Sequence, residues 1–349
     1  MTYLSKERKI MQFTIWLTYK CNMRCSYCYE GENKDSDEMN FATANRILMF
    51  IKNKIFENNE ECMINFHGGE PLLNYSILEY LILEIRKWNN EKISLILTTN
   101  AVLLDESKIR FLTSNLDEIS ISIDGKQGTH DCCRKFVDGL GSYASIIKNV
   151  KRITEYRDRK CNLIARMTLV PSTVSSLYEN ISFLLELGFK TILPVVDQFN
   201  GKWDKEYFDV LTEEIGKVYK KIYLPQKDIS IGLIEDIQYR KVSICAAGEQ
   251  TMHFAPNGEI YPCAYVVGEK RFKLGNAKSG ISEKKLKELS LINKLESEDC
   301  STCSWKERCH GVRCKLMNYA ITGDFCKPGY STCMNEHTLI KIHKEIING

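Results

Sequence analysis

Short runs of β-branched and aromatic residues alternate with amphipathic helical patterns over the first two-thirds of the chain. Runs of this kind, separated by helical segments, are typical of buried strands in a parallel sheet. Parallel strands need a crossover connection, and a helix is the usual one, so the alternation predicts consecutive βα units. The runs predicted to be strands are residues 13–17, 63–66, 93–98, 118–123, 163–170 and 191–196.

The segments between these runs predict helices, because their apolar residues recur every three or four positions. Gly188 is a stop signal for the last of them. Six such units predict an α/β fold that closes as a partial (β/α)6 barrel of the TIM type, with reactive groups on loops at the C-terminal ends of the strands. The predicted buried faces are Ala44, Ile47, Leu48, Ile51 and Ile55; Leu78, Leu81, Ile85 and Trp88; Tyr143, Ile147, Val150 and Ile153; and Val174, Leu177, Ile181 and Leu184.

The pattern changes from about Cys245, where strict alternation stops and cysteines become frequent. The stretch MHFAPNGEIYPC predicts a β-hairpin that turns at Asn257 and Gly258. An amphipathic helix then leads into CSTCSWKERCHGVRC, and this region has too few apolar residues to be stable without bound metal. We therefore predict a barrel domain over residues 1–196, a bridging segment over 197–244 and a small cysteine-rich domain over 245–349.

Composition narrows the chemistry. The chain of 349 residues has a net charge of +3 from 48 basic and 45 acidic residues, which favours neither a nucleic-acid nor a membrane partner. No apolar run approaches the ~20 residues of a membrane span, and the opening MTYLSKERKIMQF lacks the apolar core of a signal peptide. We therefore expect a cytoplasmic protein, in which the 15 cysteines are not paired as disulfides. With only 6 histidines, any metal sites are mostly thiolate sites, a property that zinc sites and iron–sulfur clusters share.

Three cysteines with the spacing CxxxCxxC follow the first predicted strand, at Cys21, Cys25 and Cys28. A cubane iron–sulfur cluster contains four irons, and this motif provides thiolates for only three of them. One iron is left open, as a coordination position is left open in a catalytic zinc site. The spacing therefore favours a cluster that binds a reacting ligand.

The stretch FHGGEP ends the second predicted strand. By itself it is a plain turn before a helix that begins at Pro71. Beside the cysteine motif it has a second interpretation, because paired glycines let a backbone approach a ligand closely and Glu70 can bind an ammonium group. Both motifs fall at the same end of the predicted barrel, which favours the second interpretation.

On these two motifs the chain resembles the radical S-adenosylmethionine (SAM) enzymes. The resemblance implies that Cys21, Cys25 and Cys28 hold a [4Fe–4S] cluster whose open iron chelates the amino and carboxylate groups of SAM. It also implies cleavage of SAM to a 5′-deoxyadenosyl radical, which abstracts hydrogen from a substrate. No catalytic residue beyond the cluster is assigned. The other cofactor-binding positions that it implies are Tyr27, Gly68, Gly69, Glu70, Pro71, Asn100, Ser122, Asp124 and Arg134.

The C-terminal cysteines resemble the SPASM extension of the same family, although zinc knuckles are the alternative for such spacings. Gly258 stands five residues before Cys263, and a CxxCx5C pattern begins at Cys300. The resemblance implies two auxiliary [4Fe–4S] clusters, and Cys326 is an additional thiol that could complete the first. The implied ligands are Cys245, Cys263 and Cys314 for the first cluster, and Cys300, Cys303, Cys309 and Cys333 for the second.

Members of this class commonly modify peptides or proteins. The resemblance therefore implies an oxidoreductase that matures a ribosomally made peptide by forming a thioether or carbon–carbon cross-link. The alternative enzyme matures sulfatases anaerobically by forming formylglycine, and the non-enzymatic alternative is a zinc-binding scaffold. The implied partners are a peptide or protein substrate and a reductant such as flavodoxin or ferredoxin. Because few residues precede the first predicted strand, either a separate leader-binding protein or the core of the enzyme itself is expected to recognise the peptide.

Overall fold

The fold is described from a computed structural model, in which residues 10–31, 37–58, 60–156, 160–239 and 245–344 are described. Strands from both the N-terminal and the C-terminal regions join one mixed sheet. The strands are β1 (Ile10–Trp16), β2 (Glu61–His67), β3 (Ile93–Thr99), β4 (Glu118–Ser122), β5 (Asn162–Leu169), β6 (Thr191–Val196), β7 (Ser230–Ile231), β8 (Thr251–Phe254), β9 (Glu259–Tyr261), β10 (Gly275–Asn276) and β11 (Gly280–Ile281).

Helices connect successive strands. The α-helices are α1 (Phe41–Asn58), α2 (Tyr75–Arg86), α3 (Glu106–Asn115), α4 (Gln127–Cys133), α5 (Tyr143–Glu155), α6 (Leu177–Glu186), α7 (Lys205–Val218), α8 (Gly232–Tyr239), α9 (Glu283–Asn293), α10 (Lys315–Thr322) and α11 (Tyr330–Ile342). A π-helical turn, Tyr219–Tyr223, extends α7. Short 3₁₀ helices form at Pro71–Asn74, Pro171–Ser176, Ala264–Val266, Lys270–Phe272 and Lys306–Arg308.

The predicted fold class is confirmed. Strands β1 to β6 are parallel and lie in chain order, each beside the next, and the ends of each predicted strand differ from those of an observed one by at most three residues. Most residues of the predicted helix faces are buried, but Tyr143 at the start of α5 is only half-buried, α5 buries Ile146 where we predicted Ile147, and Trp88 lies beyond the end of α2. Gly188 follows α6 with a positive φ of 95°, which is the conformation of a helix stop.

The sheet extends beyond the six predicted strands on both sides. Strand β7 pairs in parallel with β6, and β8 pairs in parallel with β1, with Phe13 opposite Met252. The predicted hairpin is confirmed, because β8 and β9 are antiparallel around the turn at Gly258, whose φ is +85°. The C-terminal cysteine-rich region is therefore joined to the barrel through the backbone of β1.

No helix among the described residues is both long enough and apolar enough to span a membrane.

Candidate functional site

The loop that carries Cys21, Cys25 and Cys28 begins soon after β1 ends and turns back on itself, with the Cys28 amide donating to the carbonyl of Cys25 (3.1 Å). Backbone bonds attach it to the end of α4, because the amide of Ser26 donates to the carbonyl of Cys133 (3.0 Å). All three predicted thiols line one cavity of about 300 Å³ at the C-terminal ends of the parallel strands. The barrel topology therefore brings them together where we predicted reactive groups.

The paired glycines after β2 lie directly against this part of the chain. The Gly69 amide donates to the carbonyl of Thr18 (2.9 Å), and the Glu70 amide donates to the carbonyl of Lys20 (2.9 Å). A Cβ atom would lie 2.4 Å from the Thr18 carbonyl oxygen at Gly68 and 2.2 Å from that of Lys20 at Gly69, and Gly68 also has a φ of +138°. Only glycine fits at these two positions, and both residues line the cavity.

The Glu70 side chain has more protein partners than we predicted. Its Oε1 accepts from the Leu72 amide (3.0 Å) and from Thr99 Oγ1 (2.7 Å), while Oε2 accepts from the Asn100 amide (2.7 Å). The residue is 1% exposed, and burial raises the pKa of its carboxyl although all three donors oppose the shift. Glu70 thus joins the loop after β2 to the end of β3. Pro71 is buried behind it as the first residue of the 3₁₀ helix and does not line the cavity.

A second buried network contains three of the predicted cofactor-binding residues. Tyr27 donates its hydroxyl proton to Asp124 Oδ2 (2.6 Å) and accepts from Arg134 Nη1 (2.8 Å). Asp124 also accepts from the Thr168 amide (2.9 Å), and it lies behind Tyr27 and outside the cavity lining. Burial raises the pKa of the Asp124 carboxyl, against the effect of the Arg134 charge. Asp124 therefore orients Tyr27 directly, and Arg134 through Tyr27.

Arg134 lines the cavity and is 7% exposed. Its Nε is buried, and no hydrogen-bond partner for this atom is present among the described residues. Guanidinium groups pair well with carboxylates, so this atom fits an anionic partner in the cavity.

Asn100 and Ser122 also line the cavity, at the ends of β3 and β4. The Asn100 amide nitrogen donates to Asn22 Oδ1 (2.8 Å) and lies 3.9 Å from Cys21 Sγ. Amide groups close to cluster sulfurs help to set the properties of a cluster. Asn100 is therefore in contact with the cysteine loop as well as with the cavity.

Several residues of the cavity wall were absent from the sequence prediction. Three aromatic rings meet there: Tyr29 lies 5.6 Å from Tyr265, and Phe199 lies 5.1 Å from Tyr265, between ring centroids. Tyr265 and Met317 come from the C-terminal region, far from the cysteine loop in sequence. Single aromatic residues in loops carry no periodic signal, so only the tertiary structure reveals this cluster. Other lining residues that the prediction omitted include His67, Arg166, Asp197 and Gln198.

The cysteines predicted for the first auxiliary cluster lie close together. Burial raises the pKa of the Cys263 thiol to about 12, and the neighbouring Cys314 and Cys245 add to this increase. Burial, with Cys245 and Glu336 nearby, raises the pKa of Cys314 to about 11. Metal coordination is the usual way in which such thiols become thiolates. The three cysteines therefore suit a shared metal centre.

The cysteines predicted for the second cluster also share one neighbourhood. Burial raises the pKa of Cys333, and Cys300 and Cys303 contribute as neighbouring thiols. Burial raises the pKa of Cys309 to about 11, with further contributions from the nearby Glu336. Cys326 is half-buried in the turn after α10, where its amide donates to Asp324 Oδ1 (2.8 Å), and its ligand role stays a prediction.

Nowhere in the described ranges do three His, Cys, Asp or Glu side chains form the compact group that one metal ion would require. A cubane differs in this respect, because each of its irons takes its own thiolate and the ligands do not converge on one point. The three thiols of the cavity lie beside Gly68 and Gly69 and beside the Arg134 Nε, which has no hydrogen-bond partner among the described residues. This combination fits a cluster with a bound charged ligand better than it fits a zinc ion.

The comparisons with known proteins agree with this geometry. The family described as the radical SAM superfamily matches residues 16–197, which is more than half of the chain. A cysteine-type anaerobic sulfatase-maturating enzyme of Clostridium perfringens is 27% identical over 322 residues, covering 83% of this chain and 85% of that protein.

Two solved structures share the fold. One, described as native anSMEcpe with bound AdoMet, gives a TM-score of 0.79 at 21% identity and covers 97% of this chain and 98% of its own. The other, SuiB of Streptococcus suis bound to S-adenosylmethionine, gives 0.69 at 17% identity and covers 93% of this chain and 77% of its own.

The family match favours an enzyme over the alternative of a zinc-binding scaffold. It also agrees with the cavity, which the three thiols, the paired glycines and Arg134 line together. The chain thus belongs to the radical SAM superfamily, and it is an enzyme that uses S-adenosylmethionine together with [4Fe–4S] chemistry.

Proposed function

We propose that this enzyme is a maturase that oxidises a peptide or protein substrate in the cavity at the C-terminal ends of β1 to β6. The observation that carries the proposal is the composition of the cavity wall. Cys28 of the cluster loop, Arg166 of the barrel and Tyr265 of the C-terminal region line one space, so a side chain entering it would contact both regions. A small cavity with mixed aromatic and charged walls suits one or two side chains of a longer chain.

In this proposal Cys21, Cys25 and Cys28 hold the SAM-binding cluster, and Gly68 and Gly69 allow the methionine part to approach the backbone. When bound, the cluster and SAM provide a 5′-deoxyadenosyl radical that abstracts a hydrogen atom from the substrate. The protein orients the reactants and excludes water.

Each remaining residue of the SAM site has a separable task. Arg134 provides a cation for the methionine carboxylate, and Tyr27 and Asp124 hold its guanidinium in place. Glu70 offers a carboxylate to the ammonium while it fixes the end of β3. Asn100 and Ser122 line the wall toward the ribose, and Pro71 supports the loop from behind.

The C-terminal thiols would hold two auxiliary clusters. Cys245, Cys263 and Cys314 would form the first site, and Cys300, Cys303, Cys309 and Cys333 the second, with Cys326 as a candidate fourth ligand of the first. Tyr265, in the cavity wall, lies two residues after Cys263, so the first site would be adjacent to the substrate. This division corresponds to a barrel domain over 1–196, a bridging segment over 197–244 and a SPASM domain over 245–349.

We propose cross-linking of a ribosomal peptide, as a thioether or a carbon–carbon bond, as the specific reaction. An open coordination position at the first site would let a substrate thiolate bind near the cavity. Peptide complexes are known for both structural neighbours, since anSMEcpe is described with a Kp18Cys peptide and SuiB with the precursor peptide SuiA. A reductant such as flavodoxin or ferredoxin and a separate leader-binding protein would complete the system.

Formylglycine formation is the second candidate, and a specific observation favours it. The sulfatase-maturating enzyme of C. perfringens aligns with this chain over 85% of its own length, so the similarity includes the C-terminal region as well as the barrel. The same radical chemistry would then oxidise one cysteine or serine of a sulfatase in place of joining two residues.

Mass spectrometry of candidate substrates tests the proposal. The enzyme is reconstituted anaerobically with iron and sulfide and incubated with SAM, a reductant, and either a short cysteine-containing peptide encoded beside its gene or a sulfatase-derived peptide. A thioether removes two hydrogens and protects the cysteine from alkylation, whereas a carbon–carbon bond removes two hydrogens and leaves the thiol reactive. Formylglycine introduces an aldehyde that a hydrazide reagent captures. Absence of 5′-deoxyadenosine with every substrate would contradict the proposal.

A further inference from the structure

His130 is a buried histidine behind the cavity, and the proposed function does not use it. It lies in α4, four residues before Arg134, and is 0% exposed. Its ring does not line the cavity. Both ring nitrogens nevertheless have protein partners, one at Asp124 and the other at Ser142. The ring therefore connects the segment after β4 to the N-terminus of α5.

The hydrogen bonds of this ring can run in only one direction. The Asp124 amide can only donate, and it donates to His130 Nδ1 (3.4 Å). The proton of the neutral ring is then on Nε2, which donates to Ser142 Oγ (3.0 Å). That hydroxyl donates in turn to the carbonyl oxygen of Arg134 (2.8 Å), which can only accept. The chain of bonds thus ends at the backbone of Arg134.

The His130 ring is neutral in this arrangement. Burial, together with the nearby charge of Arg134, lowers the pKa of His130 to about 3. A second ring proton would also place two donors against each other at Nδ1, because the Asp124 amide already points there. A neutral imidazole has one donor and one acceptor in fixed positions. It can therefore hold two segments at a fixed separation without adding a charge beside the guanidinium.

Asp124 and Arg134 are linked a second time through their side chains. Arg134 Nη1 donates to the Tyr27 hydroxyl (2.8 Å), which donates to Asp124 Oδ2 (2.6 Å). One link therefore holds the backbone of Arg134, and the other holds its guanidinium. Arg134 lines the cavity, and its buried Nε has no hydrogen-bond partner among the described residues. The two links together fix this cation in the cavity wall.

The turn that contains Arg134 also supports the cysteine loop. The carbonyl of Cys133 accepts from the Ser26 amide (3.0 Å), and the carbonyl of Lys135 accepts from the Arg24 amide (2.8 Å). A displacement of the Arg134 backbone would therefore change the distance between the guanidinium and the three thiols of that loop. A ligand that contacts both the proposed cluster and the guanidinium requires this distance to be fixed.

We propose that His130 is a positioning residue for SAM, which acts through Ser142 to hold the Arg134 backbone where the guanidinium meets the methionine carboxylate. Loss of this link should weaken the binding of ligands that carry the carboxylate and should leave the binding of other ligands unchanged. A purely structural role would show no such dependence on the ligand. This inference rests on the proposed function, in which Arg134 binds the carboxylate of SAM.

Calorimetric titration of the reconstituted enzyme with SAM and with decarboxylated SAM tests the proposal. The wild type should prefer SAM. His130→Leu should reduce this preference about tenfold, as expected for the loss of a buried hydrogen bond, because SAM binds more weakly while the decarboxylated ligand is little affected. His130→Gln should recover most of the preference, because its amide nitrogen can donate to Ser142 in place of Nε2.

Ser142→Ala tests the same route if His130→Leu does not fold, because it removes one hydroxyl and keeps the ring. It should also reduce the preference for SAM. Ser182→Ala is the matched control, since the Ser182 hydroxyl donates to a backbone carbonyl, that of Tyr178 (2.9 Å), in α6 and outside the cavity lining. It should keep the wild-type preference.

Two results would overturn the inference. One is an unchanged preference for SAM in Ser142→Ala, and the other is an equal loss of affinity for both ligands in that variant. Failure of the proposed function is distinguishable from either, since Arg134→Gln would then itself keep the wild-type preference.

Discussion

The two cysteine-bearing regions of this enzyme are stabilised in different ways. The loop with Cys21, Cys25 and Cys28 is anchored by backbone bonds to α4 and lies beside the glycine loop, over a sheet whose strands bury Phe13, Ile15 and Ile64. The segment from Cys300 to Cys333 has one 3₁₀ turn, the short helix α10 and the first turn of α11, and its buried apolar side chains are only Val312 and Leu316 among the described residues.

This difference indicates what each region needs from its cofactor. The barrel forms the cavity that we propose for SAM from its own packing and hydrogen bonds, so we expect this cavity to exist before a cluster binds. The C-terminal segment buries too little apolar surface to offset the entropy of ordering it, so we expect the clusters that we propose for it to contribute to its folding.

Replacement of Cys25 by alanine should have the largest effect on activity and almost none on the fold. Formation of 5′-deoxyadenosine should fall to background, and iron content should fall by about a third, since one of three proposed cubanes is lost. Thermal unfolding should change little because packing holds the loop. Cys62→Ala, at a buried core thiol in β2, is the control: it should keep iron and activity and cost about 1 kcal/mol of stability. Equal loss of iron in both variants would contradict the assignment of Cys25 as a cluster ligand and of Cys62 as a core residue.

Removal of iron should separate the two regions structurally. We expect hydrogen exchange to become fast over residues 300–333 in the iron-free enzyme, while amides of β1 to β6 stay protected. The reason is that the order of residues 300–333 depends on metal ligation, whereas the order of the barrel strands does not. Mass spectrometry of peptic fragments before and after chelation measures this. Uniform loss of protection in both regions would show that the barrel depends on metal as well.

Gly69→Ala should damage the SAM site without removing a thiol. Its Cβ would lie 2.2 Å from the Lys20 carbonyl oxygen, so the backbone beside the cysteine loop must move, and we expect SAM cleavage to fall about 100-fold. Gly128→Ala is the matched control, because no atom lies within 4 Å of the added Cβ and alanine favours the helix in which it lies. Calorimetric titration with SAM and an assay for 5′-deoxyadenosine compare the Gly69→Ala and Gly128→Ala variants. Equal SAM affinity and equal 5′-deoxyadenosine formation in both would contradict the requirement for glycine at position 69.

The smallest expected effect concerns Asp197 in the cavity wall. Burial raises the pKa of its carboxyl above the ordinary value of 3.8, although backbone amides, among them those of Phe199 and Asn200, oppose the shift. Above pH 3.8 the unfolded chain releases this proton before the folded one does, so the wild type loses stability as the pH rises, until the folded pKa is passed. Asp197→Asn keeps an oxygen that accepts from the backbone amides and removes the titrating carboxyl. The free energy of unfolding of this variant, relative to that of the wild type, should therefore rise between pH 3.8 and the pKa of the folded state and then level off.

Denaturant unfolding at a series of pH values measures this difference. Asp228→Asn is a control of opposite sign, because Lys190 lowers the pKa of that exposed carboxyl, whose small stabilising contribution is lost as the pH falls. Parallel pH profiles for the two variants would contradict the assignment of burial as the cause at Asp197.

Much of the barrel could be predicted from the sequence because its signals are local. Each of β1 to β6 is a short run rich in apolar residues, and the faces of α1 and α6 follow the helical period. The parallel pairing of β8 with β1 had no such signal, since strand pairing between distant segments depends on which sheet edge is free. Ile146, buried in place of Ile147, shows that a period places a face only to within one residue.

The same distinction applies to the site. The sequence by itself determined which residues are the candidates for the chemistry, because cluster ligation requires thiols at short fixed spacings, and close backbone approach requires glycine. It could not determine that Glu70 bonds to the end of β3, that Asp124 lies behind Tyr27, or that Tyr265 meets Tyr29 in the cavity wall. These contacts join residues far apart in the chain, so only the tertiary structure, through the order of strands and the packing of the C-terminal region, decided them.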